Sequence, residues 1–311
     1  MLPDGLLSFP LTPFTAGDRV DLAAYREHLE QQLAGGPGAL FVACGTGEFG
    51  ALSPAEYREV VRAAVETVAG RVPVFAGAGG GPAVAREFAV AAAENGADGL
   101  LLLPPYLVTG PPAGYLGYVE HVAAGTDLPL IVYQRANARL TSATAVALLD
   151  LPTVIGIKDG IGDVDAFLRI VTAVRASGHP RAEAFGFLNG LPTAELSAQA
   201  YRAIGVPSYS SAVFCFAPRI ALAFHAAVHA DDTATTRRLI AEFYAPFAEL
   251  RDEVPGYAVA LVKAGARLGD STSAGSARPC STRPARTSRG SRRSSTTDTR
   301  RWRRCAWTVC W

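Results

Sequence analysis

Methionine occurs once and lysine only twice in the 311 residues, and no two of the five cysteines have Cys-x-x-Cys spacing. The missing cysteine pairs exclude the usual zinc and thiol-redox motifs. Two cysteines, Cys44 and Cys215, lie in the body of the chain, and the other three lie beyond residue 269. Reduced thiols are therefore expected. The start, MLPDGLLSFPL, has no basic segment ahead of an apolar run, and four prolines break the longest uncharged stretch, around residues 100–119. Neither export nor membrane spanning is expected, which points to a cytoplasmic location. Tryptophan is absent until residue 302. Basic charge is scarce in the body as well: ten of the 29 Lys and Arg residues fall within 269–311, where the only acids are Asp270 and Asp298. The remainder is acidic, and an acidic body lacks the clustered basic face of a nucleic-acid binder.

What the chain does have is 49% hydrophobic residues, enough to bury a large core. Short β-rich apolar runs fall at 6–11, 39–44, 73–77, 99–103, 129–134, 154–158, 183–188 and 205–210. Helical patterns follow each of them, at 21–34, 54–69, 82–95, 112–124, 142–150, 163–177, 192–203 and 218–230. Runs such as LFVAC and LIVY are apolar without alternation, as parallel strands buried on both faces require. Eight strand–helix units over residues 1–230 predict a (β/α)8 TIM barrel, with a doubly wound open sheet as the alternative. Two further amphipathic patterns within 231–268, at 233–251 and 256–267, predict a short appended C-terminal helical layer. Over 269–311 the periodicity gives way to Ser, Thr, Arg, Pro and Gly, where no fold is expected. This segment reads either as a basic interaction tail or as a frame-shifted, non-native end.

In such a barrel, chemistry gathers at the C-terminal ends of the strands. The second run ends in Cys44-Gly45-Thr46-Gly47-Glu48, the fifth in Tyr133-Gln134-Arg135, and the sixth in Lys158-Asp159. A lysine at the inner end of a buried strand is a costly choice, and burial there lowers its pKa and frees a lone pair for attack on a ketone. The competing reading pairs Lys158 with Asp159 or another carboxylate. Tyr133 could relay protons beside that amine or be a core tyrosine with a satisfied hydroxyl. The Gly45-Thr46-Gly47 turn could offer N–H groups to a carboxylate or be an ordinary tight turn.

Other candidates are weaker. Gly77-Ala78-Gly79-Gly80-Gly81 lacks the Gly-Lys-Ser/Thr of a P-loop and the spacing of a dinucleotide fingerprint. His225 and His229 stand four apart, but the glutamate of a zinc-protease helix is missing, so a packing or solvent-facing role is expected.

Four motifs, ACGTGE (43–48), LPPY (103–106), VYQR (132–135) and GIKD (156–159), occur together in this order. In them the sequence resembles the family of dihydrodipicolinate synthase and N-acetylneuraminate lyase, class I Schiff-base lyases built as TIM barrels. The resemblance covers about residues 3–268. It implies Lys158 as the Schiff-base lysine, Tyr133 as the proton shuttle, and Gly45 and Thr46 as the turn holding the substrate's α-carboxylate. It further implies a homo-oligomer, commonly a tetramer, acting on a small molecule without metal or organic cofactor. Leu107 replaces the second tyrosine that synthases usually carry, and Gln134-Arg135-Ala136 replaces their Asn-x-Pro. Together with FLNGLPTAE (187–195) and PSYSSAVFCFAP (207–218), these departures resemble a dehydrating, decarboxylating branch that acts on a keto sugar diacid. Aldolase, synthase and noncatalytic keto-acid binder remain the alternatives. Arg135, Asn189 and Ser211 are the candidates for the far end of the diacid. Neutral Asn189 and Ser211 suit that end better, since a strong salt bridge would oppose loss of the carboxylate.

Overall fold

The computed structural model describes residues 1–270. Eight parallel strands close into a barrel in sequence order: β1 (Leu7–Ser8), β2 (Ala39–Val42), β3 (Val74–Ala78), β4 (Gly99–Leu102), β5 (Leu130–Gln134), β6 (Val154–Asp159), β7 (Gly186–Asn189) and β8 (Ser208–Ser211). Closure through the β1–β8 pair rules out the open doubly wound sheet. The helices between and after the strands are α1 (Leu22–Ala34), α2 (Pro54–Val68), α3 (Pro82–Glu94), α4 (Pro112–Ala123), α5 (Ser142–Ala147), α6 (Val164–Arg175), α7 (Ala198–Ala203) and α8 (Pro218–His229). Their starts follow local chemistry. Ser53 and Glu56 form a reciprocal capping box ahead of Pro54, and Asp21, Thr141 and Asp163 each accept an N–H of the first turn.

The strands are apolar throughout because both faces are covered. Leu40, Val42, Val74, Leu100, Val132 and Ile157 face the helices, while Phe41, Phe75, Leu101, Ile131 and Leu188 fill the barrel. Phe9, Phe41 and Phe75 stack inside it, with centroids 4.6 and 4.9 Å apart. Gly99 makes room for this stack, since a Cβ there would lie 2.3 Å from the Phe75 ring.

One irregularity positions the site. Between β5 and β6 the pairing passes from Leu130↔Val154 to Ile131↔Gly156, so β6 contains one extra residue. A one-residue slip exchanges the faces of everything that follows. Val154 and Ile157 therefore both face the helices, and Lys158 turns into the barrel beside Tyr133, its register partner.

The appended layer consists of α9 (Thr233–Leu239), α10 (Ala245–Asp252) and α11 (Tyr257–Asp270). The pattern at 233–251 is one helical rod interrupted by a π turn, Ile240–Tyr244. Pro246, at the start of α10, cannot donate to a preceding carbonyl, and a wider turn accommodates that loss. All but the first two residues of the expected tail, 269–311, lie outside the described residues, and those two end α11.

Candidate active site

Lys158 projects from the end of β6 into a cavity of about 290 Å³ at the C-terminal mouth of the barrel. It is only 4% exposed, and its Nζ lies 3.8 Å from the centroid of the Phe9 ring and 4.7 Å from that of Tyr133. Burial lowers its pKa from 10.5 to about 7, and the nearby Arg135 guanidinium acts in the same direction. The Cys44 thiol is itself pushed up to about 12 by burial, so it stays neutral where Lys158 titrates. Lys158 passes close to Gly190, where a Cβ would lie 2.3 Å from its Cε. Gly190 thus leaves room for the Lys158 side chain, a position that the motif reading did not single out, although it sits inside FLNGLPTAE.

The alternative partner, Asp159, lies on the opposite face of β6. Its carboxylate accepts from Gln134 Nε2 at 2.8 Å, from the N–H groups of Ile161 and Gly162, and from the Tyr201 hydroxyl. Among the described residues no carboxylate pairs with Lys158. Lys158, unpaired with a carboxylate among the described residues and set against the Phe9 ring, is therefore available as an amine near neutral pH.

Tyr133 donates its hydroxyl proton to Gly190 O at 3.0 Å and accepts from Arg135 Nη1 at 2.9 Å. Burial pushes its pKa up, and the guanidinium works against that rise. The hydroxyl thus has both a donor and an acceptor in place, as a proton relay needs. Gly45 and Thr46 line the same cavity. Their turn is held from behind: Thr12 Oγ1 donates to Gly47 O at 2.7 Å, and Glu48 N–H donates to Gly45 O at 3.1 Å. Among the described residues neither Gly45 nor Thr46 spends its N–H on a protein acceptor, as an anion-binding turn requires.

A protein-family model for the dihydrodipicolinate synthetase family matches residues 2–289. The chain belongs to that family. Its relatives include a Streptomyces coelicolor protein named "Probable 5-dehydro-4-deoxyglucarate dehydratase 1", 53% identical over 86% of this chain and 84% of the relative. A Streptomyces griseus protein, "Probable 5-dehydro-4-deoxyglucarate dehydratase", is 54% identical over 85% of this chain and 82% of the relative. The fold matches that of a dihydrodipicolinate synthase from Oceanobacillus iheyensis with a TM-score of 0.82 at 22% identity, covering 98% of this chain and 95% of that one.

Within this dihydrodipicolinate synthetase-family barrel, five of the seven expected site residues, Lys158, Tyr133, Gly45, Thr46 and Arg135, border one cavity. Asn189 and Ser211 do not. Asn189 is fully buried on the far face of β7, donating to Ala194 O and Ser197 Oγ and accepting from Leu191 N–H. Ser211 is fully buried behind β8, donating to Glu195 Oε1 at 2.6 Å and accepting from Phe214 N–H. Both expectations are corrected by strand parity, since neighbouring residues on a strand face opposite sides. The cavity instead receives Ser210 from β8, Thr193 from the loop after β7, and Arg251 from α10. Arg251 donates to Pro192 O at 2.9 Å and Thr193 Oγ1 at 2.7 Å, and it pairs with Asp252. Ala258, Val259 and Val262 of α11 complete the wall.

Proposed function

We propose that this chain is a class I Schiff-base lyase that converts 5-dehydro-4-deoxy-D-glucarate to 2,5-dioxopentanoate, carbon dioxide and water. The observation that carries the reading is Lys158: a buried amine without a carboxylate partner among the described residues, titrating near 7, beside a tyrosine with a hydrogen-bonded hydroxyl. The named relatives supply the substrate.

The neutral Lys158 amine attacks the C5 ketone, and dehydration of the carbinolamine gives an iminium. The cation acidifies C4, and Tyr133, or a water it orients, takes that proton to form an enamine. The enamine expels the C3 hydroxyl as water, leaving an iminium conjugated with a C3–C4 double bond. Conjugation extends the electron sink to C2. The C1–C2 bond then breaks, C1 departs as carbon dioxide, and its electron pair flows through C2–C3 and C4–C5 to the nitrogen. Protonation at C4 and tautomerisation of the C2 enol at C3 produce the aldehyde, and hydrolysis releases Lys158. Gly45 and Thr46 hold the retained α-carboxylate throughout.

At the far end, Ser210 and Thr193 offer neutral donors, and the charge of Arg251 is tempered by Asp252. That arrangement suits a carboxylate that must leave, because tight ground-state binding of C1 would raise the barrier. A homo-oligomer, tetrameric by family resemblance, and a cytoplasmic setting belong to the same proposal. The exposed run Tyr106-Leu107-Val108 supports the oligomer. Among the described residues, no helix is long and apolar enough to cross a membrane.

The deciding experiment supplies the keto diacid alone, without pyruvate or an aldehyde, adds borohydride, and maps the mass increase by peptide. The expected result is a reduced adduct on Lys158 and loss of turnover. An unmodified Lys158 with undiminished turnover overturns the mechanism, and a requirement for a second carbonyl substrate favours an aldolase or synthase.

A further inference from the structure

The second of the two lysines, Lys263, lies in α11, outside the barrel, yet it is fully buried. Its ammonium meets the Glu48 carboxylate and stands 4.8 Å from the centroid of the Phe14 ring. Taking the Lys263 ammonium fully out of water has a desolvation cost that its attraction to the partly exposed Glu48 carboxylate rarely exceeds, so an apolar residue at 263 would serve the packing of α11 at least as well. The location of the pair is therefore informative. Glu48 closes the Gly45-Thr46-Gly47 turn; its φ of +56° is left-handed, and its N–H is bonded back to Gly45 O. Lys263 directly follows Val262, which with Ala258 and Val259 forms the α11 wall of the cavity. One side chain thus ties the helix covering the mouth to the turn that presents Gly45 and Thr46.

We propose that Lys263 is a positioning residue, whose ion pair with Glu48 clamps α11 onto the Gly45–Thr46 turn and so sets the site's affinity for the carboxylate of a 2-oxo acid. The pair does not touch the reacting atoms. It keeps a strained turn in the one arrangement that points free N–H groups at the substrate, and it seats the covering helix in the same step. The proposal rests on the Schiff-base reading of Lys158 given above.

The test compares two carbonyl probes on the full chain, each trapped on Lys158 by borohydride and quantified by mass: pyruvate, which carries an α-carboxylate, and acetone, which does not. In Lys263→Met, the pyruvate concentration that half-saturates trapping rises about tenfold, as loss of one well-positioned charged contact predicts. The acetone value is unchanged. The double variant Glu48→Gln with Lys263→Met removes both charges together, so neither is left without its partner, and it shows the same selective loss with a native melting transition. Half-saturation by pyruvate equal to that of the parent chain in the double variant overturns the clamp, as does an equal rise for both probes. A parent chain that traps neither probe on Lys158 overturns the Schiff-base reading itself and the clamp with it, so the two failures are distinguishable.

Discussion

Lys158 has a cost that the fold must carry. Its pKa is about 7 in the folded chain and 10.5 when solvated, so between those values the unfolded state binds more protons and stability rises with pH. Below pH 7 the full burden of a buried ammonium is present. Lys158→Met therefore stabilises the chain most below pH 7, and its advantage shrinks as the pH is raised from 7 towards 10.5. Urea midpoints of both proteins at pH 6.5 and pH 9.5 check this, and an advantage that grows with pH would contradict it. Tyr133 is the complementary case. Tyr133→Phe keeps the ring over Lys158 but removes the hydroxyl between Gly190 O and Arg135, and kcat for the keto diacid falls about 10²–10⁴-fold. Steady-state turnover at matched thermal stability reads the effect, and a loss below about tenfold would take Tyr133 out of the proton path. Both residues were legible because each ends an apolar run with an unusual polar side chain. Gly190 was not, because its role is to be absent where the Lys158 chain passes.

Strand parity separates what could be read in the elements from what could not. All eight strands and their helices overlap the segments where periodicity expects them, since apolar runs and caps are local signals, but β1 is only Leu7–Ser8, and 3-10 turns at Leu148–Asp150 and Ala194–Ser197 take part of the patterns expected for α5 and α7. Which face each residue takes is not local. In β6 the extra residue opposite β5 reverses the alternation, and without it Lys158 would share a face with Val154 and lie among the helices. In β8, fully buried Ser211 and half-buried Ser210 look alike in sequence, but Tyr209 packs into the outer core, so Ser211 shares that outward side and Ser210 lines the cavity. The aromatic at 209 was the available clue. Two substitutions separate the neighbours. Ser210→Ala raises KM for the keto diacid about 2- to 10-fold, as expected from one net hydrogen bond, with thermal stability little changed. Ser211→Ala leaves Glu195 Oε1 and Phe214 N–H without their partner and lowers stability by about 1–3 kcal/mol, with kinetic constants retained. Kinetics and denaturant melts on the same two proteins check the pair, and the reverse pattern would restore Ser211 to the site.

At the scale of the molecule, the barrel and the appended helices share one apolar cluster, in which Tyr209, Phe214 and Phe224 of the barrel meet Phe243, Tyr244 and Phe247. Glu195 is buried beside this seam, and desolvation pushes its pKa up from 4.5 to about 7, while its bond from Ser211 acts against the rise. Its Oε2 and the hydroxyls of Tyr209 and Tyr244 have no protein partner among the described residues, so the protonated, neutral acid is the form this seam tolerates. The folded chain then holds a proton that the unfolded chain releases between pH 4.5 and pH 7, so this group lowers stability as the pH rises through that window and adds no further slope above it. His28, lowered to about 4 by burial, works in the opposite sense between about pH 4 and pH 6.5, so the parent chain alone does not isolate Glu195. Comparison with Glu195→Gln does, because every other group is common to both proteins. The variant is expected to gain stability relative to the parent as the pH goes from 4.5 to 8, read as the difference in urea midpoints at the two values. An unchanged difference would mean that Glu195 titrates alike in the folded and unfolded chains, and that the seam between barrel and appended layer admits water.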